Sequence, residues 1–399
     1  MSPALGELLD LVLRWMHVIA GIMWIGNSML WNWLDRNLLP ARGGGDGIQG
    51  EIWLLHSGGF YQMRKDLTGW DRDRPLHWFK WQAYTTWLTG AALLVVVYYA
   101  SGGALLVDPA VADLSPGAAV AVGAGSIVAA WLAYDLALGR AISRMGRMGA
   151  VAGMALTLAV AYGLTHLLSG RAAFLHVGAM LGTLMAGNVF RVIMPSQRVL
   201  VAAAERGERP DPEPAKRAKE RSIHNNYMTF PVIVLMTSSH FPTLYAGPWS
   251  WLTLGVLVLG GAAVRHVLNV RFGWPRWKPA LAAVVAASLA ALALLTVRPA
   301  RTAAPDAAAG GGRVTFAQAN AVVQKRCTVC HSASPADRTF GPAPAGIAFD
   351  TPEQVRARAD RIRVRAVETA TMPPANKTFI TPEERALLGR WIAQGAPPE

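Results

Sequence analysis

Seven apolar runs of about 20 residues, the length a helix needs to cross hydrocarbon, occupy roughly 8–33, 81–100, 118–138, 148–168, 172–194, 249–269 and 279–297. Lipid offers no partner to a backbone N–H or C=O, so such runs restrict the chain to a helical membrane bundle. A shorter eighth run, about 226–241, is interrupted by Pro231. Of the 399 residues 52% are hydrophobic and 16% charged, against roughly 25% charged in an average soluble domain. That shortfall excludes a disordered chain and a simple soluble enzyme. No Lys or Arg precedes the first run, Arg14 lies inside it, and it is too long for the apolar core of a cleavable signal peptide.

The net charge of +13 is read as cytoplasmic loops facing anionic lipid rather than as a nucleic-acid surface. Segments 34–80, 139–147, 195–223 and 270–278 carry 7, 3, 7 and 3 Lys/Arg, whereas 1–7, 101–117, 169–171 and 242–248 carry 0, 0, 1 and 0. The positive-inside rule puts the first set in the cytoplasm and both termini outside, which in a bacterial inner membrane is the periplasm. Omitting the 226–241 helix would move the basic 270–278 connection outside, so eight spans are expected. The expected fold is all-α, with an eight-helix transmembrane bundle over 1–297, a flexible Ala/Pro/Gly linker over 298–312, and a soluble module over 313–399.

In that module three helix starts carry Thr with Gln or Glu three residues on: Thr315–Gln318, Thr351–Gln354 and Thr381–Glu384. Each has the composition of a capping box, and Pro352 and Pro382 occupy the first helical position, where a missing N–H costs nothing. Near the end of the first of these helices stands Cys327-Thr328-Val329-Cys330-His331. The C-x-x-C-H spacing lets two thiols add to the vinyl groups of one haem while the next imidazole reaches the iron. The rival is a dithiol redox pair. A zinc site needs further ligands, and 313–399 contains no other Cys or His. Met372, between Thr371 and Pro373-Pro374, is the only Met in the module and the candidate sixth ligand to the haem iron, the alternative being a packed Met. A thioether there raises the reduction potential relative to a second imidazole. The arrangement resembles a class I cytochrome c domain of three helices. Arg356, Arg358, Arg361, Arg363 and Arg365 read as a solvated helix face.

A tethered haem module needs one anchor helix, so eight spans imply another task. Ionisable residues inside apolar helices are costly and are functional candidates by default. Arg14, His17, Gly21, Trp24 and Ser28 share one face of the first helix, and His176, Met180, Thr183, Gly187 and Arg191 share one face of the fifth. His17, His166, His176 and His240 all fall in the outer half. Two facing imidazoles there, His17 and His176 being the favoured pair, would clamp a b-type haem; the alternative is histidines that hydrogen-bond neighbouring helices. His56, His77, His224, Arg265 and His266 lie toward the inner side, where snorkelling to water is the ordinary explanation.

Residues 14–27 (RWMHVIAGIMWIGN), His56-Ser57-Gly58-Gly59-Phe60-Tyr61, Lys80-Trp81-Gln82-Ala83-Tyr84 and 224–231 (HNNYMTFP) resemble the bacterial membrane-bound urate oxidases fused to cytochrome c, over essentially the whole chain. The resemblance implies oxidation of urate to 5-hydroxyisourate with O₂ not the direct electron acceptor. Electrons would leave through the haem c to a periplasmic soluble cytochrome c or a terminal oxidase. A pocket for a planar monoanion should pair Arg or amide donors with an aromatic face. Arg14, Arg191 or Arg265 are candidates for the charge, and His17 among the histidines for the base. Two rivals belong to other classes: an electron conduit from quinol or a partner dehydrogenase, and a transporter carrying a redox sensor.

Overall fold

Helices make up 69% and strands 5% of the described residues in this computed structural model, which describes residues 3–43, 47–101, 103–296, 313–337 and 343–398. The linker expected over 298–312 lies outside the described residues. Helix α1 (Pro3–Asn37) leads into a hairpin of β1 (Ile48–His56) and β2 (Gly59–Asp66), paired antiparallel. The hairpin departs from the all-α expectation, which treated 34–80 as a basic loop. Ser57 and Gly58 at its tip have φ 49° and 76°. Positive φ at both central residues gives the turn whose twist matches right-twisted strands.

Helix α2 (Trp81–Leu93) runs on as a π-helical segment, Leu94–Tyr99. Then come α3 (Pro116–Met145), which carries a π-helical turn at Tyr134–Leu138, and α4 (Arg147–Thr165). Helix α5 (Gly170–Glu205) has a π-helical turn at Val189–Ile193. It is followed by α6 (Pro212–Ser238), α7 (Ser250–Val270) and α8 (Trp277–Thr296). By length and composition α1, α3, α4, α5, α7 and α8 can cross a membrane. Runs 81–100 and 226–241 are helical too but fall outside that set, for a physical reason. Helix α6 buries Asn225, Asn226 and Thr229, and α2 turns Thr86 and Thr89 toward His17. Residues that face protein in this way lower the mean hydropathy of a helix without exposing it to lipid.

Helix α5 is the hub. Ala172, Ala173, Phe174, Val177, Met180 and Leu181 are buried on it, against Leu106, Leu164, Leu235, Leu254 and Val258 of its neighbours. By contrast α8 buries nothing, and α1 exposes Leu8, Leu11, Trp15, Val18 and Ile22. So much continuous apolar surface has no place in water, and the protein is a membrane protein.

The C-terminal module has its own core: Val323 from α9 (Phe316–Arg326), Val355 from α10 (Pro352–Ala357), and Leu388 and Trp391 from α11 (Pro382–Ala393), with Phe349, Ile362 and Ala366. All three expected capping boxes form, with the Thr side chain accepting from the third residue's N–H and that residue's side chain accepting from the Thr N–H. The first and last helices are clamped by Arg326, whose Nε lies 2.9 Å and Nη2 3.0 Å from the Glu384 carboxylate. These bonds from the Arg326 side chain hold the Glu384 carboxyl below its usual range. A carboxyl lowered by folding stabilises above its unfolded pKa and loses that contribution as pH falls. The isolated-module unfolding transition should therefore weaken in acid, and Glu384→Gln should flatten that limb at a cost of about 2 kcal/mol near neutral pH. Chemical denaturation at several pH values measures both effects.

Candidate functional site

Arg221 stands near the start of α6 with its side chain 5% exposed. Position 139 on α3 is glycine, and a Cβ there would overlap Nη1 and the guanidinium carbon of Arg221. The guanidinium lies over the Tyr134 ring, 4.8 Å from its centroid, and its buried Nη1 has no hydrogen-bond partner. Among the described residues neither Arg221 nor Arg265 takes part in an ion pair. Enclosing a cation without an ion-pair partner costs several kcal/mol.

A directional polar network adjoins it. Asn225 Nδ2 donates to the Met185 carbonyl (3.0 Å), and Asn188 Nδ2 donates both to Asn225 Oδ1 (2.8 Å) and to the Tyr134 hydroxyl (3.1 Å). The Tyr134 hydroxyl is 2.5 Å from His224 Nδ1, and Ser143 Oγ lies 3.4 Å from Nε2. Ser143 Oγ donates its proton to the Gly139 carbonyl (3.0 Å), so toward His224 it accepts from Nε2–H, and Nδ1 accepts from the Tyr134 hydroxyl. Tyr134 belongs to the π-helical turn of α3, and that of α5 begins beside Asn188. Such turns redirect side chains and concentrate at functional sites. A cavity of about 210 Å³ opens beside the network, lined by Arg140, Ser143, Arg191, Ser196, Arg217, Glu220 and Arg221 among others. It is small by the standard of ligand pockets and suits a small polar molecule.

The expected site residues are distributed unevenly about this cavity. Arg191 lines it, half-exposed and 3.5 Å from Asp135. Arg14 lies away from it on α1, paired at 2.8 Å with Asp10 one turn earlier. His17 is held against α2, with Nδ1–H donating to the Thr86 carbonyl (2.9 Å) and the ring packed on Gly90. His176 is fully buried; its Nδ1–H donates to the Ala172 carbonyl (2.8 Å), Tyr99 Oη lies 3.1 Å from Nε2, and Gly123 makes room for the ring. His166 and His240 are exposed at the ends of α4 and α6, His166 bonding the Tyr162 carbonyl of its own helix. Among the described residues no two of these four imidazoles are in ring contact. Sequence reasoning passed over Arg221, Tyr134 and Asn188. His224 was read only as an inner-side residue snorkelling to water, and Asn225 was in view only as part of a motif.

In the C-terminal module the Cys327 carbonyl accepts from the N–H groups of Cys330 (3.1 Å) and His331 (2.8 Å), so a tight turn gathers the two thiols and the imidazole. Both cysteines are free thiols. Burial pushes the Cys327 thiol up to about 12 and raises Cys330 as well. His331 Nδ1–H donates to the Ile347 carbonyl (3.0 Å) and its ring meets the Phe349 edge. Met372 is half-buried in a loop pinned by Arg385, whose Nη1 donates to the Met372 carbonyl (2.8 Å) and to that of Ala366.

Comparison with known families adds one finding: residues 3–297 match the urate oxidase N-terminal family. The chain belongs to that family. The match takes in the whole membrane bundle, including Tyr134, Gly139, Asn188, Arg221 and His224, and stops before the C-terminal module. Neither curated proteins nor solved structures gave a match.

Proposed function

We propose that this urate oxidase family member is a membrane-bound oxidoreductase that converts urate to 5-hydroxyisourate and delivers the electrons to a haem c in residues 313–399. Buried Arg221, with an unpartnered guanidinium nitrogen and no ion-pair partner, carries the reading, because urate is a planar monoanion at neutral pH. The overall step is urate plus water giving 5-hydroxyisourate, two protons and two electrons. Arg221 neutralises the bound anion, Arg191 adds charge at the cavity mouth, and the Asn188–Asn225 amides hold Tyr134 in place. The Tyr134–His224 pair then takes a proton, with Ser143 steadying the far side of the imidazole.

The C-terminal module fits a covalent haem. A dithiol redox pair works through a thiol of lowered pKa, and the raised Cys327 and Cys330 lack that property. Cys327 and Cys330 would form the thioethers. His331, with Nδ1–H committed to a carbonyl, keeps Nε2 for the iron, the tautomer an axial ligand needs. Met372 would take the sixth position. When bound, the haem would supply one-electron acceptance, with a periplasmic cytochrome c or a terminal oxidase as the onward acceptor.

Helix α8 starts at the end of the bundle that carries the Arg265–Asn226 contact and finishes at the other, so the module is tethered on the face opposite Arg221. That separation supports a b-type haem in the bundle. His17 and His176 both commit Nδ1–H to a carbonyl, and a haem iron on His176 Nε2 would have to displace the Tyr99 hydroxyl that lies 3.1 Å from it. In the proposed topology eight helices span a bacterial inner membrane, both termini are periplasmic, and domain 1–297 is joined through 298–312 to 313–399.

Anaerobic addition of urate to the purified full chain tests the reading. The haem c absorbance should become that of the reduced form as 5-hydroxyisourate appears. Reduction by quinol but not by urate would instead establish an electron conduit. Met372→His should retain the haem and lower its potential, and an unchanged potential in redox titration would remove Met372 as ligand.

A further inference from the structure

A second arginine is buried without a counter-ion. Arg265 on α7 is 3% exposed. Its Nε donates to Asn226 Oδ1 (3.1 Å), which also accepts from Asn269 Nδ2 (2.6 Å). Arg265 Nη2 and Asn269 Oδ1 are both buried and unpartnered. Arg36 and Arg271 add like charge close by. The guanidinium rests over the Phe230 ring, 5.4 Å from its centroid.

Phe230 is also a wall of something larger. An apolar groove of about 470 Å³ runs between α6, α7 and α8, past Phe230, Val234, Gly260, Gly261, Val264 and Leu289. Gly261 lets α7 approach Pro231 of α6, where a Cβ would come within 3.0 Å of the proline nitrogen. Arg265 lies one turn beyond Gly261 on the same face of α7, and Phe230 is both a wall of the groove and the ring on which the guanidinium rests. Leu289 is 61% exposed, so the groove is open toward the surface that faces lipid.

We infer that this groove is a binding site for one anionic phospholipid, an acyl chain lying along Gly260, Gly261 and Leu289 and the headgroup phosphate on Arg265 Nη2. Charge complementarity selects the occupant. Unpaired Arg265 beyond an apolar channel, in a positive field to which Arg36 and Arg271 contribute, matches a phosphodiester with a chain attached, and a zwitterionic headgroup would bring an ammonium into the same field. Basic pockets between helices on the cytoplasmic side hold anionic headgroups by this means. The site does not depend on the urate reading, since Arg265 bonds Asn226 whereas the urate cavity is lined by Arg221.

The test uses the full chain stripped of lipid in detergent, with native mass spectrometry after adding phosphatidylglycerol or phosphatidylcholine of matched chains. The wild type should retain one phosphatidylglycerol with at least tenfold preference, and Arg265→Gln should bring that preference near unity. Leu289→Trp fills the groove from its exposed side while leaving Arg265 in place. It should lower phosphatidylglycerol retention by a similar factor, which keeps the test valid should Arg265→Gln fail to fold. Equal retention of the two lipids by the wild type, or an undiminished preference in folded Arg265→Gln, would overturn the proposal. So would displacement of the lipid by millimolar inorganic phosphate, which would mark a free-anion site.

Discussion

Arg221→Gln should raise the KM for urate by about 100-fold, the equivalent of losing roughly 3 kcal/mol of charge-assisted hydrogen bonding in a buried site. The fold should survive the change. Removing half of a buried ion pair strands its partner, but Arg221 has no carboxylate to strand, so the variant should melt no lower than the wild type. Stability and affinity should therefore move independently, and that separates a substrate ligand from a structural arginine. Steady-state kinetics on the detergent-purified chain, beside a thermal melt, read both. Arg221→Lys should recover only part of the loss, because a single ammonium cannot present the planar fork that suits a planar anion.

Converting Cys327 and Cys330 to serine should abolish covalent haem. Denaturing gels stained for haem peroxidase activity should then show no band at the mass of the chain. Urate-dependent reduction of an external cytochrome should fall to background, whereas equilibrium binding of urate should be unchanged, since the cavity at Arg221 lies in the bundle. A loss of binding as well would mean that the module and the bundle share the substrate site.

What could be read in the sequence and what could not divides along the range of the interaction concerned. The three capping boxes span four residues each, and Thr315, Thr351 and Thr381 form them as expected. Hydrophobic run length placed the long helices for the same reason, since it is a property of one segment and its solvent. The hairpin was a local signal too, Ser57-Gly58 between alternating residues, but it was outweighed by the charge of its surroundings. Arg221 was out of reach. It ends a basic stretch with Lys216, Arg217 and Lys219, and by composition it is one more cytoplasmic charge. Only the tertiary fold, which seats α6 on α5 and α7, turns it inward onto Tyr134 and Gly139. The π-helical turn that aims Tyr134 leaves no mark in a 3.6-residue periodicity.

Gly139 and Arg221 interlock, and this gives the pair a history. The arginine can keep this placement over Tyr134 only where the opposite position has no side chain, so a change at one site alters what the other can do. A relative that has given up Arg221 is released from the glycine and free to take alanine, a better helix former, at 139. The two columns should thus change together across related bundles. A chain that keeps the membrane architecture but carries a side chain at 139 would be one in which this anion seat has been abandoned.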